Sequence, residues 1–133
     1  MARRLILDTG ILVGMERGEL SDSVLQPDDD VSLSMVVVSE YMAGIELAQP
    51  DYRSRMQKFL DNILDMAIVL PFDEEILDTH VRLFAWTYRH GCIRGQHDLI
   101  IAATAIVTGR ILLTRDRKAR FEELPEISVE LMD

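Results

Sequence analysis

Cysteine is all but missing from this chain of 133 residues, where Cys92 stands alone. No internal disulfide can form, and a reducing compartment is expected. Long apolar runs are missing too: although 48% of the residues are hydrophobic, no run approaches the roughly 20 residues needed to span a bilayer. The opening Met1-Ala2-Arg3-Arg4 is basic, but the apolar stretch Leu5-Ile6-Leu7 ends at once in Asp8, unlike a signal peptide. The expectation is a cytoplasmic protein with no membrane contact. Positive charge is scarce, with 14 Lys and Arg against 23 Asp and Glu and a net charge of −9, which excludes a broad basic surface for nucleic acid. Any such contact must be local. Lys58 and Lys118 are the only lysines; the other cations are arginines, whose planar fork suits phosphate and carboxylate. They gather at Arg53, Arg55 and Lys58, at Arg82, Arg89 and Arg94, and at Arg115, Arg117, Lys118 and Arg120. The first two sets read as solvated helix faces. The third surrounds Asp116, so a phosphate drawn to Arg115, Arg117 or Lys118 would lie beside an acidic centre.

At 15.2 kDa, residues 1–133 make one domain, in which about two-thirds of the surface of the unfolded chain is buried on folding. Leu5-Ile6-Leu7 reads as a buried strand and residues 10–17 as a short helix stopped by Gly18. Residues 19–30, with Pro27 and Asp28-Asp29-Asp30, read as a surface connection that includes a short helix from about Ser21. Residues 31–33 alternate like a brief strand, and Ser34 suits the cap of a helix over 35–48, although the β-branched Val36-Val37-Val38 favours strand locally. Beyond Pro50, Met56, Phe59, Leu60, Ile63 and Leu64 recur at helical spacing over 51–65, and residues 66–70 form a strand. Asp73 caps a helix over 74–90 that Gly91 ends. Residues 99–108 are apolar nearly all round, as in a helix buried against a sheet. A strand over 111–114, a short helix over 117–123, a break at Leu124-Pro125 and a strand over 128–131 complete the chain. Strands separated by helices imply an α/β fold of three layers, with a short, mainly parallel sheet covered on both faces.

Four acids stand out in this framework. Asp8 and Asp116 follow two apolar strands, Asp98 opens the buried helix, and Glu40 lies within Val36–Gly44 at what reads as a strand-to-helix boundary. In an open α/β sheet, ligands gather beyond the carboxyl ends of the strands, so Asp8 and Asp116 are expected to be neighbours. If all four converge, a divalent cation must join them. Mg²⁺ and Mn²⁺ take oxygen ligands, keep several waters, and are held by few carboxylates directly. In phosphodiester hydrolysis such ions lower the pKa of the attacking water and stabilise charge on the phosphate.

At this point the chain resembles a known family, the PIN domain nucleases, and within it the VapC-type toxins of toxin–antitoxin pairs. The matching segments are Leu5-Ile6-Leu7-Asp8-Thr9, Ser39-Glu40 with Gly44 four positions on, His97-Asp98 with the run to Ala105, and Leu113-Thr114-Arg115-Asp116 followed by Phe121. They run in the family's order and spacing over about Arg4 to Leu131. The resemblance implies an α/β/α fold and a Mg²⁺- or Mn²⁺-dependent endoribonuclease that cleaves an exposed loop of structured RNA such as tRNA or rRNA, leaving a 5′-phosphate and a 3′-hydroxyl. It implies Asp8 and Asp98 as direct metal ligands, Glu40 and Asp116 completing the cluster, and Thr114 orienting Asp116 or a bound water. It also implies a small VapB-like antitoxin that covers the acidic crevice with a basic side chain. The pattern departs at Gly10, where the family commonly has Asn or Ser.

Each residue also has a plainer reading. Asp8 and Asp98 suit helix N-caps, and Glu40 in an apolar segment calls for a cation such as Arg53 or Arg94. Glu46 reads as a surface residue, and His97 as a loop or cap residue. His80, His90, His97 and Cys92 match no zinc spacing. Met35, Met42, Met56 and Met66 read as core, while Met and Trp86 on exposed helix faces offer a dimer contact, and a homodimer is expected. Two other functions compete. One is a receiver-like phospho-acceptor domain with an acidic pocket; the other is a catalytically inactive PIN scaffold that only binds a partner.

Overall fold

The computed structural model describes residues 2–133. Five strands form one sheet: β1 Arg4–Leu7, β2 Asp30–Ser34, β3 Ile68–Leu70, β4 Ile111–Thr114 and β5 Ser128–Leu131. Their order is β3-β2-β1-β4-β5, and every pairing is parallel. The helices are α1 Thr9–Glu16, α2 Met35–Leu47, α3 Pro50–Met66, α4 Glu74–Arg89 and α5 Gln96–Thr108. Leu5, Ile6, Leu7, Leu112 and Leu113 are all fully buried. Successive strand residues point to opposite faces, so burial of both parities shows that the sheet is covered on both sides.

The chain steps from β1 to β2 to β3 in one direction and then returns to place β4 on the other side of β1. The carboxyl ends of β1 and β4 therefore flank the point where the strand order reverses, which is where open α/β sheets bind ligands. Leu7 pairs with Leu113 in register, and Asp8 N donates to Leu113 O at 3.0 Å. This order also removes the receiver-like reading, since receiver domains run 2-1-3-4-5.

Several local expectations shift. Ser34 Oγ accepts from Val36 N at 3.3 Å and caps α2, so Val36-Val37-Val38 is helical despite its local preference. Glu40 thus lies inside α2, not at a strand end. Gly95 stands at the N-cap of α5, which puts Asp98 in the first turn and not at the cap. Residues 117–123 contain only a 3-10 turn, Phe121–Glu123, because Asp116 Oδ1 accepts from Lys118 N and Ala119 N and Arg120 then takes a left-handed φ of 48°. Three of the four methionines assigned to the core are exposed, Met35, Met42 and Met66; only Met56 packs against it.

Candidate active site

The side chain of Asp8 is fixed from the start of α1 and from the end of β4. Its Oδ1 accepts from Thr9 N at 2.8 Å, capping α1, and its Oδ2 accepts from the buried Thr114 hydroxyl at 2.7 Å. Thr114 Oγ1 in turn accepts from Asp116 N at 3.0 Å. Thr114 therefore orients the Asp8 carboxylate and holds the backbone, not the carboxylate, of Asp116. Thr114→Val should lower stability by about 1–3 kcal/mol, because Asp8 Oδ2 and Asp116 N both lose a buried partner. Thr114→Ser should restore it in a thermal melt.

Glu40 reaches the same crevice from α2. It accepts from the Thr9 hydroxyl at 3.1 Å, and its Oε2 lies 3.8 Å from His97 Nδ1. It is exposed, and neither expected cation reaches it: Arg53 bonds to Ala48 O and Glu46 O, and Arg94 is engaged elsewhere. The sequence reading of Arg94, as part of a solvated helix face or as the partner of Glu40, is corrected by its contacts. Its guanidinium, 4% exposed, donates to Ala119 O, Cys92 O and Arg120 O at 2.7–2.9 Å. That clamp ties the approach to α5, which carries Asp98, to the loop that carries Asp116. No local signal marks such a cation, because two of its three carbonyl partners are 25 and 26 residues away. Thr9 was visible only as part of a motif.

Burial raises the pKa of Asp8, and the charges of Asp116 and Glu40 add to the effect. Asp98 is pushed up to about 6, first by burial and then by Asp8, Asp116 and Glu40. The N-terminus of α5 favours its charged form by about 0.3–1 kcal/mol, too little to offset burial and three like charges. All four acids thus lie near enough for their charges to act on one another. They do not yet meet at a point: among the described residues, no three His, Cys, Asp or Glu side chains stand in chelating positions. Three of them are held by their own bonds, Asp8 by Thr9 and Thr114, Glu40 by Thr9, and Asp116 by its turn, whereas Asp98 makes no side-chain hydrogen bond among the described residues. No arginine or lysine side chain bonds to any of the four among the described residues. An all-oxygen set in which Asp8 and Asp98 have raised pKa values, with no bonded arginine or lysine among the described residues, fits a hard divalent ion.

The basic candidates divide. Arg115 pairs with Glu19 at 2.8 Å, filling space beside Gly14, where a Cβ would come within 2.6 Å of its guanidinium. Arg117 pairs with Asp133 at 3.0 Å. The side chain of Lys118 makes no ion pair among the described residues.

Comparison with known proteins agrees with this architecture. The PIN domain family matches residues 5–127. The chain is 30% identical over 126 residues to a protein of Rickettsia bellii named Ribonuclease VapC, covering 94% of this chain and 93% of that one. Its fold matches the crystal structure of VapBC2 from Rickettsia felis bound to a promoter DNA fragment, with a TM-score of 0.86 and 24% identity over 98% of this chain and 99% of that one. It also matches VapBC-5 of Mycobacterium tuberculosis, described as a member of the VapBC family of toxin–antitoxin systems, with a TM-score of 0.77 and 26% identity over 97% of both chains. By sequence and by fold, this chain belongs to the PIN domain family, as a relative of the VapC ribonucleases.

Proposed function

We propose that this chain is the toxin of a toxin–antitoxin pair: a Mg²⁺- or Mn²⁺-dependent endoribonuclease acting on an exposed loop of a structured RNA, tRNA or rRNA. One observation carries the reading. Asp8, Asp116 and Glu40 are linked through Thr114 and Thr9 at the switch point of the sheet, Asp98 lies near enough for their charges to raise its pKa, and no arginine or lysine side chain bonds to any of the four among the described residues. A relative named a ribonuclease, 30% identical over nearly the whole chain, supports it.

Asp8 and Asp98 would hold the ion directly, with Glu40 and Asp116 joining directly or through water, and the ion would supply Lewis-acid polarisation and a more acidic water. The chain's own residues prepare that site. Thr9 N and the Thr114 hydroxyl fix both Asp8 oxygens, the turn at Lys118 and Ala119 holds Asp116, and Arg94 keeps the two loops together. Lys118 is the basic side chain left to meet an RNA phosphate. In hydrolysis the oxygen of water bonds to phosphorus, the bond from phosphorus to O3′ breaks, and O3′ takes a proton. Products with a 5′-phosphate and a 3′-hydroxyl are expected when RNA ends are mapped after incubation with the purified chain. The absence of any new end in a transcriptome-wide map would leave the inactive scaffold as the better reading.

The partner is a small VapB-like antitoxin that places a basic side chain among the carboxylates, since a guanidinium matches paired carboxylate oxygens. The solved VapBC-5 relative is consistent with such a pairing. A complex whose antitoxin leaves Asp8, Glu40, Asp98 and Asp116 uncovered, yet inhibits, would refute this.

A second copy of the chain fits α4. Leu77, Val81 and Tyr88 form an exposed apolar stripe along it. The first half of the helix carries Glu74, Glu75 and Asp78, the second half Arg82 and Arg89, and none of these charges has an ion-pair partner among the described residues. Two antiparallel copies would set acidic start against basic end, as a two-fold interface requires. Val81→Glu should give a monomer in sedimentation equilibrium where the wild type is a dimer; an unchanged mass would exclude α4.

A further inference from the structure

One motif residue has no role in the carboxylate site. Gly44 sits inside α2, where glycine costs about 1 kcal/mol relative to alanine. Its backbone is not left-handed, and a Cβ there would meet only Met56 Cε, at 3.8 Å. Neither strain nor crowding demands glycine. What a larger side chain would do is occupy a cavity of about 260 Å³ between α1, α2 and α3, lined by Gly44, Ala48, Tyr41, Tyr52, Arg17 and Met56, and reaching Thr9 and Glu40 at the carboxylate crevice.

We propose that this cavity takes one unstacked base of the substrate RNA, the nucleotide next to the phosphate held at the carboxylates. The inference rests on the ribonuclease reading above. Sharing Thr9 and Glu40 places the cavity within a nucleotide of the cleavage site. Its volume lies just below the roughly 300–1,000 Å³ of pockets for drug-sized ligands, which suits a single flat ring system more than a helix of a protein partner. Its walls suit a base as well. The Tyr52 hydroxyl bonds to Glu16 at 2.8 Å, which holds the ring in place, and aromatic rings and arginine are common platforms for single-stranded bases. The buried Tyr41 hydroxyl has no hydrogen-bond partner among the described residues. Arg17 makes no ion pair among the described residues.

The test uses the full-length chain, RNA oligonucleotides randomised around the mapped cleavage site, and the same oligonucleotides with an abasic ribose at each flanking position. Wild type should show a base preference at one position beside the cut, and an abasic ribose there should lower kcat/KM by about tenfold or more. Gly44→Leu and Ala48→Met, which fill the cavity, should lose both the preference and the abasic penalty. Gly44→Ala should keep them, and thermal melts show whether each variant is folded. A wild type indifferent to the abasic ribose, or a folded Gly44→Leu that keeps the preference, overturns the proposal. So does a Gly44→Leu variant that cleaves as wild type but escapes inhibition by a co-expressed antitoxin, since the cavity would then seat a protein side chain. RNA binding measured in chelator separates the two readings. An RNA bound with the same abasic penalty but never cut speaks against hydrolysis and not against the base pocket, while no binding at all overturns both.

Discussion

Asp98→Asn should reduce RNA cleavage by about a thousandfold or more and abolish toxicity on expression, while the chain stays folded. A divalent ion stabilises several kcal/mol of transition-state charge, and roughly 4 kcal/mol corresponds to a thousandfold in rate. The substitution removes one negative charge with almost no change in shape, and among the described residues no side-chain hydrogen bond is lost with it. Asp8→Asn should have the same effect on rate but is less clean. An amide oxygen can still accept from Thr9 N and cap α1, but its NH₂ would face the Thr114 hydroxyl and turn that 2.7 Å bond around. Some loss of stability is therefore expected at Asp8 and not at Asp98. Wild type treated with a chelator should behave like the Asp98 variant and recover with Mn²⁺. If both variants cleave at the wild-type site, and continue to do so in chelator, the carboxylates are not the catalytic centre.

The second large effect is on stability. Asp98 in the folded chain binds a proton near pH 6, against an ordinary value of 3.8. The folded state therefore binds more protons than the unfolded state between those limits, and stability must fall as pH rises through this window. Asp8, also raised, acts in the same direction. In chelator, wild type should melt higher at pH 5 than at pH 7. Asp98→Asn should flatten that dependence and, at pH 7, melt above the wild type by a few degrees, on the order of 1 kcal/mol once solvent screening is allowed for. Mn²⁺ should reverse the ranking. At a hundred times its dissociation constant it should add about 2.7 kcal/mol to wild type, roughly ten degrees, because the unfolded chain has no preformed site. Asp98→Asn and Asp116→Asn should gain less. A wild type that gains nothing from Mn²⁺, with both variants several degrees less stable in chelator, would identify these acids as structural caps.

Much of the architecture was legible because local signals agreed. Buried strands stand out at 5–7 and 111–114 as short apolar runs, and Ser34, Asp73 and Gly91 mark helix ends by capping chemistry that acts within a few residues. Where the signals conflicted, packing decided. Val36-Val37-Val38 is helical because Ser34 caps α2 and because Val37 and Val38 are buried in the core. The exposed methionines show the converse: composition assigns a residue type to the core, but only the helix's rotation on its neighbours decides which face meets solvent.

The candidate site divides in the same way. Sequence by itself determined which acids were available, that two of them follow strands and that a third begins a buried helix, since these depend on chemistry between near neighbours in the chain. Only the tertiary structure decided that β1 and β4 lie side by side at the reversal of strand order, which brings Asp8, Thr114 and Asp116 together across more than a hundred residues. It alone bonded Thr9 to Glu40, set Arg94 between the loops of Asp98 and Asp116, turned Arg115 and Arg117 away to Glu19 and Asp133, and left Gly44 as the open wall of a cavity. Those contacts join segments far apart in the chain, and the free energy that selects them belongs to burial and charge in the assembled sheet, not to any stretch of residues read alone.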